Sequence, residues 1–405
     1  MNVDFLYGVL DLGFWGYAVA ALLMVQFTFM AVTLYLHRDA THRSLDLHPA
    51  LRHVFRFWLW MSSGIVTKEW VAVHRKHHAA CETPEDPHSP VVHGVGKVLL
   101  QGAELYRTAA TDPQLQEKYG RGTPDDWLER NLYVRHRGLG VTLMVLTDLV
   151  LFGVPGIIII AVQMSANPLF AAGIINGLGH HTGYRNFESP DAARNIVPWG
   201  LLIGGEELHN NHHAFPSSAK FSIRRWELDI GWLYIRILQA LGMARVIRVA
   251  PRPVKRTPRN HIDLEVLRAI IVARMHVSRE YACRVIAPVF RELRRRRGTL
   301  NRSARKLLVR DPMVLSERAR ADLQRILAAY RELRTVYEFR ERLRQLWSDG
   351  NLSNERLLEH FREWVAQAER SGIRALQEFA QSLRGYALKP GIVTGSVLSV
   401  FTHAP

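Results

Sequence analysis

The sequence FWGYAVAALLMVQFTFMAVTLYL occupies residues 14–36 and contains no Asp, Glu, Lys or Arg. At about 1.5 Å per residue, a helix of this length is roughly 35 Å long, enough to cross the core of a bilayer. A cleaved signal peptide would carry a basic residue before the apolar run and small residues after it, and neither is present. The segment therefore predicts a membrane-spanning helix, with a buried core helix as the alternative.

A short apolar run at residues 57–67 lies between Arg56 and Lys68. Its length is typical of a helix that lies at the membrane interface or is only partly inserted.

A longer apolar region covers residues 139–180, where Asp148 is the only charge. It is long enough for two spans, with a break near Pro155 or near Pro168. The sequence thus predicts an all-α membrane domain with three spans, or four if residues 4–13 form a short additional insertion.

Histidines occur in clusters that follow the apolar segments. Residues three and four apart share one face of a helix, so each HxxHH motif can direct three imidazoles to one region. The clustered residues are His37 and His42, then His74, His77 and His78, then His180, and finally His209, His212 and His213.

Nine imidazoles exceed what one metal ion can bind, so two ions with four or five ligands each are the natural division. Imidazole is a good ligand for Zn, Cu, Fe and Ni. A structural zinc site usually contains cysteine, and neither cysteine of the chain, Cys81 and Cys283, lies in a histidine motif. Two cysteines also exclude a disulfide framework and favour a reducing compartment.

The histidine motifs must meet at one site, so we expect them all at one membrane face. Lys and Arg are enriched on the cytoplasmic side of membrane proteins, which predicts a cytoplasmic site. Residues 43–73 must then leave and return to the same face, so residues 50–67 should lie along the membrane or dip into it. The basic residues around the first two motifs are Arg38, Arg43, Arg52, Arg56, Lys68, Arg75 and Lys76.

The basic charge of the chain lies almost entirely in its C-terminal part. Residues 1–250 contain 22 Lys and Arg against 21 Asp and Glu, whereas residues 251–405 contain 31 against 16. Three prolines and no apolar periodicity predict a linker at residues 251–260. Apolar residues then recur at helical spacing to about residue 385. The predicted domains are a membrane domain, 1–250, and a basic helical extension, 261–405.

The motifs resemble those of the membrane-bound histidine-box fatty acid desaturases, most closely the bacterial acyl-CoA Δ9 type. The chain has, in order, an HxxxxH box, an HxxHH box, an Asn-x-x-x-His element that begins at Asn176, and a final HxxHH box. The resemblance covers about residues 10–240. Neighbouring residues agree with it: Glu69-Trp70, Glu82-Thr83, Asp86-Pro87-His88 and Gly205-Glu206. The C-terminal extension also looks like a segment of certain bacterial transposases.

The resemblance implies a non-heme diiron site in a cytoplasmic cap. The nine clustered histidines would be the iron ligands, and Asn176 would hold an iron-bound water. It implies no catalytic side chain beyond the metal site. Trp70, Ala172 and Gly173 are candidates for the wall of a tunnel that holds the acyl chain.

The implied reaction inserts a cis double bond, at Δ9, into a saturated acyl chain. It uses O2 and two electrons, and the substrate would be a long-chain acyl-CoA or acyl-lipid. The sequence has no heme, flavin or iron–sulfur motif. Electrons are therefore expected from a separate protein of the ferredoxin, flavoprotein reductase or cytochrome type. The implied location is the bacterial inner membrane.

Two alternatives remain open from the sequence. A related non-heme diiron fatty acid or alkane hydroxylase would use a similar histidine site and add oxygen to the carbon. In a different class, the basic extension would make the chain a membrane-attached nucleic-acid-binding or interaction protein. We expect the extension to contact membrane lipids or an electron donor before nucleic acid.

Overall fold

The computed structural model describes residues 4–388, except 299, 302 and 349–351. The chain forms two compact units. Residues up to Arg185 and Ala192–Ala250 make the first, and Asn186–Asp191 with the described residues from Pro251 onward make the second. Both units are mostly helical, which agrees with the predicted all-α class.

The first unit contains ten α-helices, four short strands and several π- or 3₁₀-helical segments among its described residues. In chain order they are a 3₁₀ turn Asp4–Tyr7, α1 Phe14–Ala31, a π-helix Val32–Thr41, β1 Leu45–Leu47, α2 Pro49–Ser63, α3 Thr67–Ala79, α4 Pro90–His93, α5 Val95–Ala110, α6 Pro113–Tyr119, a π-helix Glu129–Tyr133, α7 Arg137–Phe152, α8 Pro155–Ala166, a π-helix Asn167–Leu178, β2 Trp199–Gly200, α9 His209–Ala214, β3 Leu228–Asp229, α10 Ile230–Ala240 and β4 Ala244–Val246. Strand β1 pairs antiparallel with β4, and β2 pairs parallel with β3.

The second unit has its own apolar core, in which Trp364, Phe361 and Phe379 are fully buried. Its described elements are β5 Val254–Lys255, α11 Leu264–Val272, α12 Arg274–Tyr281, a π-helix Ala282–Ile286, α13 Ala287–Arg297, α14 Ala304–Val309, a 3₁₀ turn Pro312–Val314, α15 Glu317–Ala329, α16 Arg331–Ser348, α17 Asn354–Glu369, α18 Arg374–Leu383 and β6 Tyr386–Ala387.

Part of the predicted linker is structured. Val254 and Lys255 form β5, which pairs antiparallel with β6 in the register Val254–Ala387 and Lys255–Tyr386. These two residues lie between Pro253 and Pro258, which have no N–H group to donate to a strand partner. Prolines therefore mark the ends of a short strand here and not a free segment.

Two helices among the described residues are long and apolar enough to cross a membrane, Phe14–Thr41 and Pro155–Leu178. The first is the predicted span, and it continues through the π-helix beyond His37. The expected additional span corresponds to α7, whose 16 residues give about 24 Å, less than a bilayer core. Two of the three predicted spans are thus long enough to cross a membrane, and the third stays a prediction.

The break inside the predicted span pair lies before Pro155, at Gly153, whose φ is 63°. Asn167 and Pro168 instead lie within a continuous helix, at the start of its π-helical segment. A proline has no N–H to donate, and the wider π turn accommodates that loss without ending the helix.

Residues 4–13, before the first span, do not form a helix long enough to cross a membrane. They make the 3₁₀ turn Asp4–Tyr7, after which the N–H groups of Val9 and Leu10 bond to the carbonyls of Val150 and Leu151. This N-terminal turn therefore packs against the end of α7.

A buried arginine fixes the end of the first long helix. Arg38 is 0% exposed, and its guanidinium donates to Thr33 Oγ1 at 2.9 Å, to Gly204 O at 3.3 Å and to Asp229 Oδ1 at 3.1 Å. Asp229 also accepts from the N–H of Trp232 at the start of α10. The helix that carries His37 is thus tied to the loop before α9 and to α10.

Candidate metal centre

The π-helix explains the spacing of the first histidine motif. On an α-helix, residues five apart differ by roughly 140° in direction, since each residue turns by about 100°. In the structure the N–H of His42 bonds to the carbonyl of His37 at 3.0 Å, an i to i+5 bond. This wider turn brings His37 and His42 to one face, with their ring centroids 4.7 Å apart.

The two HxxHH motifs lie on helices, as predicted. His74, His77 and His78 are on the last turns of α3. The other HxxHH motif, with His209, His212 and His213, forms most of the short helix α9. His180 follows directly after the second long helix, which ends at Leu178. Four separate elements therefore supply the nine imidazoles.

Five of the nine histidines form a first cluster. Their ligand atoms all lie within 4.8 Å of one another. The Nε2–Nε2 distances are 3.1 Å from His37 to His212, 3.2 Å from His42 to His74, 3.1 Å from His74 to His78, and 2.9 Å from His78 to His212.

The other four, His77, His180, His209 and His213, form a second cluster. Nε2 of His180 lies 2.9 Å from Nε2 of His209, and the rings of His209 and His213 are 4.4 Å apart. His77 contacts both His180 and His213 through its ring. The structure thus divides the nine histidines into groups of five and four.

Cys81 lies beside the second cluster, which the sequence analysis did not foresee. Its Sγ is 4.0 Å from Nε2 of His77, and it falls in a group of potential donors with His77, His180 and His213. It lies one turn after His77, and the chain leaves α3 there through Glu82, whose φ is 63°. The helical spacing from His77 was the signal that could have revealed it.

Carboxylates contact the Nδ1 atoms of three histidines. Asp86 lies 3.0 Å from Nδ1 of His77, and Glu82 lies 2.8 Å from Nδ1 of His180. When Nδ1–H donates to a carboxylate, the Nε2 lone pair is left for a metal. Glu206 lies 2.7 Å from Nδ1 of His37, a contact that is short but poorly angled for a hydrogen bond.

Two other acidic residues near the motifs bond to groups other than the clustered histidines. Glu69 pairs with Arg137, and Glu207 accepts the backbone N–H groups of Leu202 and Ile203. His88 is buried and stacks on His77 with a centroid distance of 4.5 Å. Proximity in sequence therefore did not identify which carboxylates face a histidine.

Burial favours the neutral form of several imidazoles. It lowers the pKa of four of them well below the usual value, those of His42, His74, His78 and His212, and neighbouring positive groups lower it further. Burial also raises the pKa of Glu206 to about 7. For Asp86, burial acts to raise the pKa, but hydrogen bonds from His77 and from the backbone N–H of Glu82 hold that pKa well below its usual value. Neutral imidazoles are the form that binds metal ions.

The donor set fits metal ions at both clusters. A neutral imidazole carries a single N–H, so a set of Nε2 atoms facing one another about 3 Å apart is stabilised best by a cation that accepts all their lone pairs. Two nitrogens bound at right angles at about 2.1 Å from one ion are themselves about 3 Å apart. The observed Nε2–Nε2 distances of 2.9–3.2 Å agree with that spacing.

A cavity of about 200 Å³ opens beside both clusters. Its wall includes His37 and His74 from the first cluster, His209 from the second, and Asn176. Trp70 and Ala172, two of the three predicted tunnel residues, also line it. Trp70 stacks on His74 with a centroid distance of 4.9 Å.

Gly173, the third predicted tunnel residue, does not line this cavity. A Cβ at Gly173 would lie 2.6 Å from the carbonyl oxygen of Leu99. Gly173 therefore serves the close packing of the second long helix against α5.

Two parts of the sequence match known families. Residues 12–236 match the family described as fatty acid desaturase. Residues 264–390 match a family described as transposase. The first match contains every histidine of both clusters.

Individual relatives agree with the first match. A probable chloroplastic lipid desaturase of Arabidopsis thaliana, ADS3.2, is 33% identical over 54% of this chain, a segment that spans 60% of the relative. The sn-1 stearoyl-lipid 9-desaturase of Synechocystis is 30% identical over 58% of this chain and 72% of the relative. An acyl-CoA 5-desaturase of Anemone leveillei, AL21, is 31% identical over 55% of this chain and 69% of the relative.

The desaturase match covers more than half of the chain and includes the whole histidine arrangement. The predicted resemblance to the histidine-box fatty acid desaturases is thereby confirmed at the level of the family, and the bacterial acyl-CoA Δ9 type stays a prediction. The chain belongs to the fatty acid desaturase family, the membrane-bound histidine-box oxidoreductases that act on acyl lipids or acyl-CoA.

Proposed function

We propose that this desaturase inserts a cis double bond at Δ9 of a saturated acyl chain, at a diiron site held by the two histidine clusters. The single observation that carries the proposal is the convergence of nine imidazoles, seven of them buried, at the end of an apolar cavity. The Synechocystis relative, named a 9-desaturase, supports the position, while the Anemone relative, named a 5-desaturase, makes the position a point to test.

The first cluster would hold one iron through five histidines, and the second would hold the other through four, with Asn176 placing a water. When bound, the irons would supply the activation of O2 and the removal of hydrogen from unactivated methylenes. This is chemistry that no side chain here can perform alone.

The protein side chains orient the histidine ligands and form the apolar surroundings of the acyl chain. Asp86 and Glu82 orient His77 and His180 through their Nδ1 atoms. Trp70 and Ala172 form part of an apolar wall that would hold the acyl chain beside the histidines and exclude water. Holding the reacting methylenes at one position is what selects the site of the double bond.

We propose that the active site faces the cytoplasm of a bacterial cell, at the end of the two spanning helices. The basic residues around the first two histidine motifs support this orientation. Electrons would come from a separate protein, because the chain has no motif for a heme, flavin or iron–sulfur group. The basic extension, which we propose runs from about residue 261, would contact anionic lipid or that donor.

The deciding experiment is the fatty acid profile of cells that express the chain, with derivatives that locate double bonds. We expect an O2-dependent rise in cis-Δ9 16:1 or 18:1. A hydroxylated chain in place of the alkene would favour the hydroxylase alternative. A double bond at another carbon would keep the desaturase and overturn Δ9.

Histidine substitutions test the metal site in the same cells. His78→Ala and His212→Ala should each abolish the product, because each removes one of the five nitrogens of the first cluster. His181→Ala is the control, since His181 is exposed and lies in neither cluster. Membrane fractions should contain all three variants at equal amounts. Full activity of His78→Ala or His212→Ala would overturn the proposed iron site.

A further inference from the structure

The cavity beside the histidines extends along the second long helix to Gln163. Gln163 precedes Asn176 by thirteen residues on this continuous helix, roughly 20 Å at about 1.5 Å per residue. Its Nε2 also approaches Sδ of Met24 at 3.7 Å, and Met24 precedes His37 by thirteen residues on the first long helix. Both helices therefore place Gln163 at the end of the cavity far from the histidines.

This far end carries polar oxygens that lack partners. Gln163 is 3% exposed, and its Oε1 has no hydrogen-bond partner among the described residues. Oδ1 of Asn167, which also lines the cavity, is buried and unpartnered in the same way. Gln163 and Asn167 are four residues apart, so they share one face of the helix.

The orientation of Gln163 is set by its other contact. Its Nε2 donates to Oδ2 of Asp148 at 2.8 Å, and Asp148 is 0% exposed. In this orientation the amide nitrogen donates to Asp148, and the carbonyl oxygen has no donor among the described residues. A wall residue of another helix, Ser62 of α2, adds a third buried oxygen without a partner, its Oγ.

A buried acceptor without a partner is costly, and the methylenes of a plain acyl chain have no hydrogen to donate to it. Two amide oxygens at one end of an otherwise largely apolar cavity therefore indicate that a small O–H donor binds there. If the cavity held only hydrocarbon, a valine or leucine at these positions would avoid the free-energy cost of burying an unpartnered amide oxygen.

We propose that the far end of the cavity is a hydroxyl-binding pocket formed by Gln163 and Asn167. The O–H group comes from a trapped water molecule or from a hydroxyl on the distal end of the acyl chain. The inference rests on the proposed function, because it takes this cavity as the place where the acyl chain lies. If a water molecule supplies the O–H group, that water closes the cavity and limits how far the methyl end of the acyl chain can reach. If a hydroxylated acyl chain supplies it, the hydroxyl of the substrate occupies the pocket.

The test feeds hexadecanoic acid, octadecanoic acid and 16-hydroxyhexadecanoic acid to cells that express the full chain, and measures the desaturated fraction of each. The variants are Gln163→Leu and Asn167→Leu. Asn167→Leu keeps the contact between Gln163 and Asp148, so it remains informative if Gln163→Leu fails to accumulate. The control is Ser165→Ala, on the same helix, whose exposed hydroxyl bonds only to its own helix at the carbonyl of Ala161.

If the substrate supplies the hydroxyl, the wild type desaturates the hydroxylated chain, and Asn167→Leu lowers its yield relative to hexadecanoate by about tenfold or more. If water supplies it, the wild type rejects the hydroxylated chain, and Asn167→Leu shifts the product from 16 toward 18 carbons because the pocket becomes apolar. Ser165→Ala should match the wild type in both measurements.

Unchanged selectivity in both variants, with normal desaturation of hexadecanoate, would overturn the pocket and leave the desaturase intact. A wild type that forms no double bond in any chain would instead overturn the proposed function, and the pocket with it.

Discussion

Asp86 makes three contacts beside the second cluster, one with a histidine of the cluster and two with the backbone of its own loop. It contacts Nδ1 of His77 and also accepts the backbone N–H groups of Glu82 and His88. It therefore fixes both the ring of a proposed ligand and the loop that carries Glu82. Glu82 in turn bonds to Nδ1 of His180 and to the N–H of Ala192.

We expect Asp86→Asn to lower the metal affinity of the second cluster by about 10- to 100-fold, since it removes the charge that orients His77. The measurement is the iron content of the purified protein after equilibration with graded chelator concentrations. Glu85→Gln is the matched control, because the neighbouring Glu85 is exposed and pairs with Lys76. Equal iron retention in the two variants would contradict this role.

The histidines were predictable at this scale, and their carboxylate partners were not. Three- and four-residue steps on a helix are local geometry, so the spacing of the two HxxHH motifs indicated that their six imidazoles meet. His37 and His42 come together only through the π turn. Glu82 and His180 are 98 positions apart, so their pairing depends on how helices pack. Glu69 lies close to His74 in sequence but bonds to Arg137 instead.

At the scale of elements, α5 packs closely against the second long helix. A Cβ at Gly102 of α5 would lie 2.5 Å from the carbonyl oxygen of Ala172, and one at Gly173 would lie 2.6 Å from that of Leu99. Two glycines thus let the two backbones approach each other. This contact sets the position of Ala172 on the cavity wall and of Asn176 one turn later.

Gly102→Ala should destabilise the first unit by about 1–3 kcal/mol, because the added methyl meets backbone that cannot move aside. The control is Gly96→Ala in the same helix, where nothing lies within 4 Å of the added methyl. That change should be neutral or stabilise by up to about 1 kcal/mol, through helix propensity. Thermal unfolding in detergent should rank the midpoints Gly96→Ala, wild type, Gly102→Ala. A Gly102→Ala midpoint equal to that of Gly96→Ala would show that the helices can separate freely.

The sequence indicated the two long helices. It did not indicate that both continue as π-helices or where the chain breaks between α7 and α8. Apolar length predicted both spans, whereas the π turn after Val32 depends on backbone hydrogen bonds that composition does not reveal. Pro155 and Pro168 looked equivalent as breaks. Only Pro155 follows a residue with positive φ, Gly153, and that backbone reversal is what ends α7.

The whole molecule consists of two units with separate cores, and the second is held together by aromatic residues. Trp364 is 1% exposed, and its Nε1 donates to the carbonyl of Phe339 at 2.9 Å. Its ring contacts Phe379, Phe361 and Tyr281. The sequence predicted this region as helical from its periodicity, but not the two-stranded pairing of β5 with β6, whose partners are more than 100 residues apart.

Trp364→Ala should destabilise the second unit by about 3–5 kcal/mol, since it removes a large buried ring. Iron content should stay at the wild-type level, because all nine histidines belong to the first unit. Limited proteolysis of the full chain, followed by metal analysis, measures both effects. Met313→Ala is the control, with Met313 69% exposed. Loss of iron in Trp364→Ala would show that the metal site depends on the second unit.

A core that is complete within residues 262–386 has an evolutionary consequence. A segment of this kind can be acquired or lost in one recombination event. The part that matches a transposase family, residues 264–390, covers almost the whole of this core. Genomes that carry the same desaturase region with another C-terminal segment, or with none, are the expected record of such an exchange.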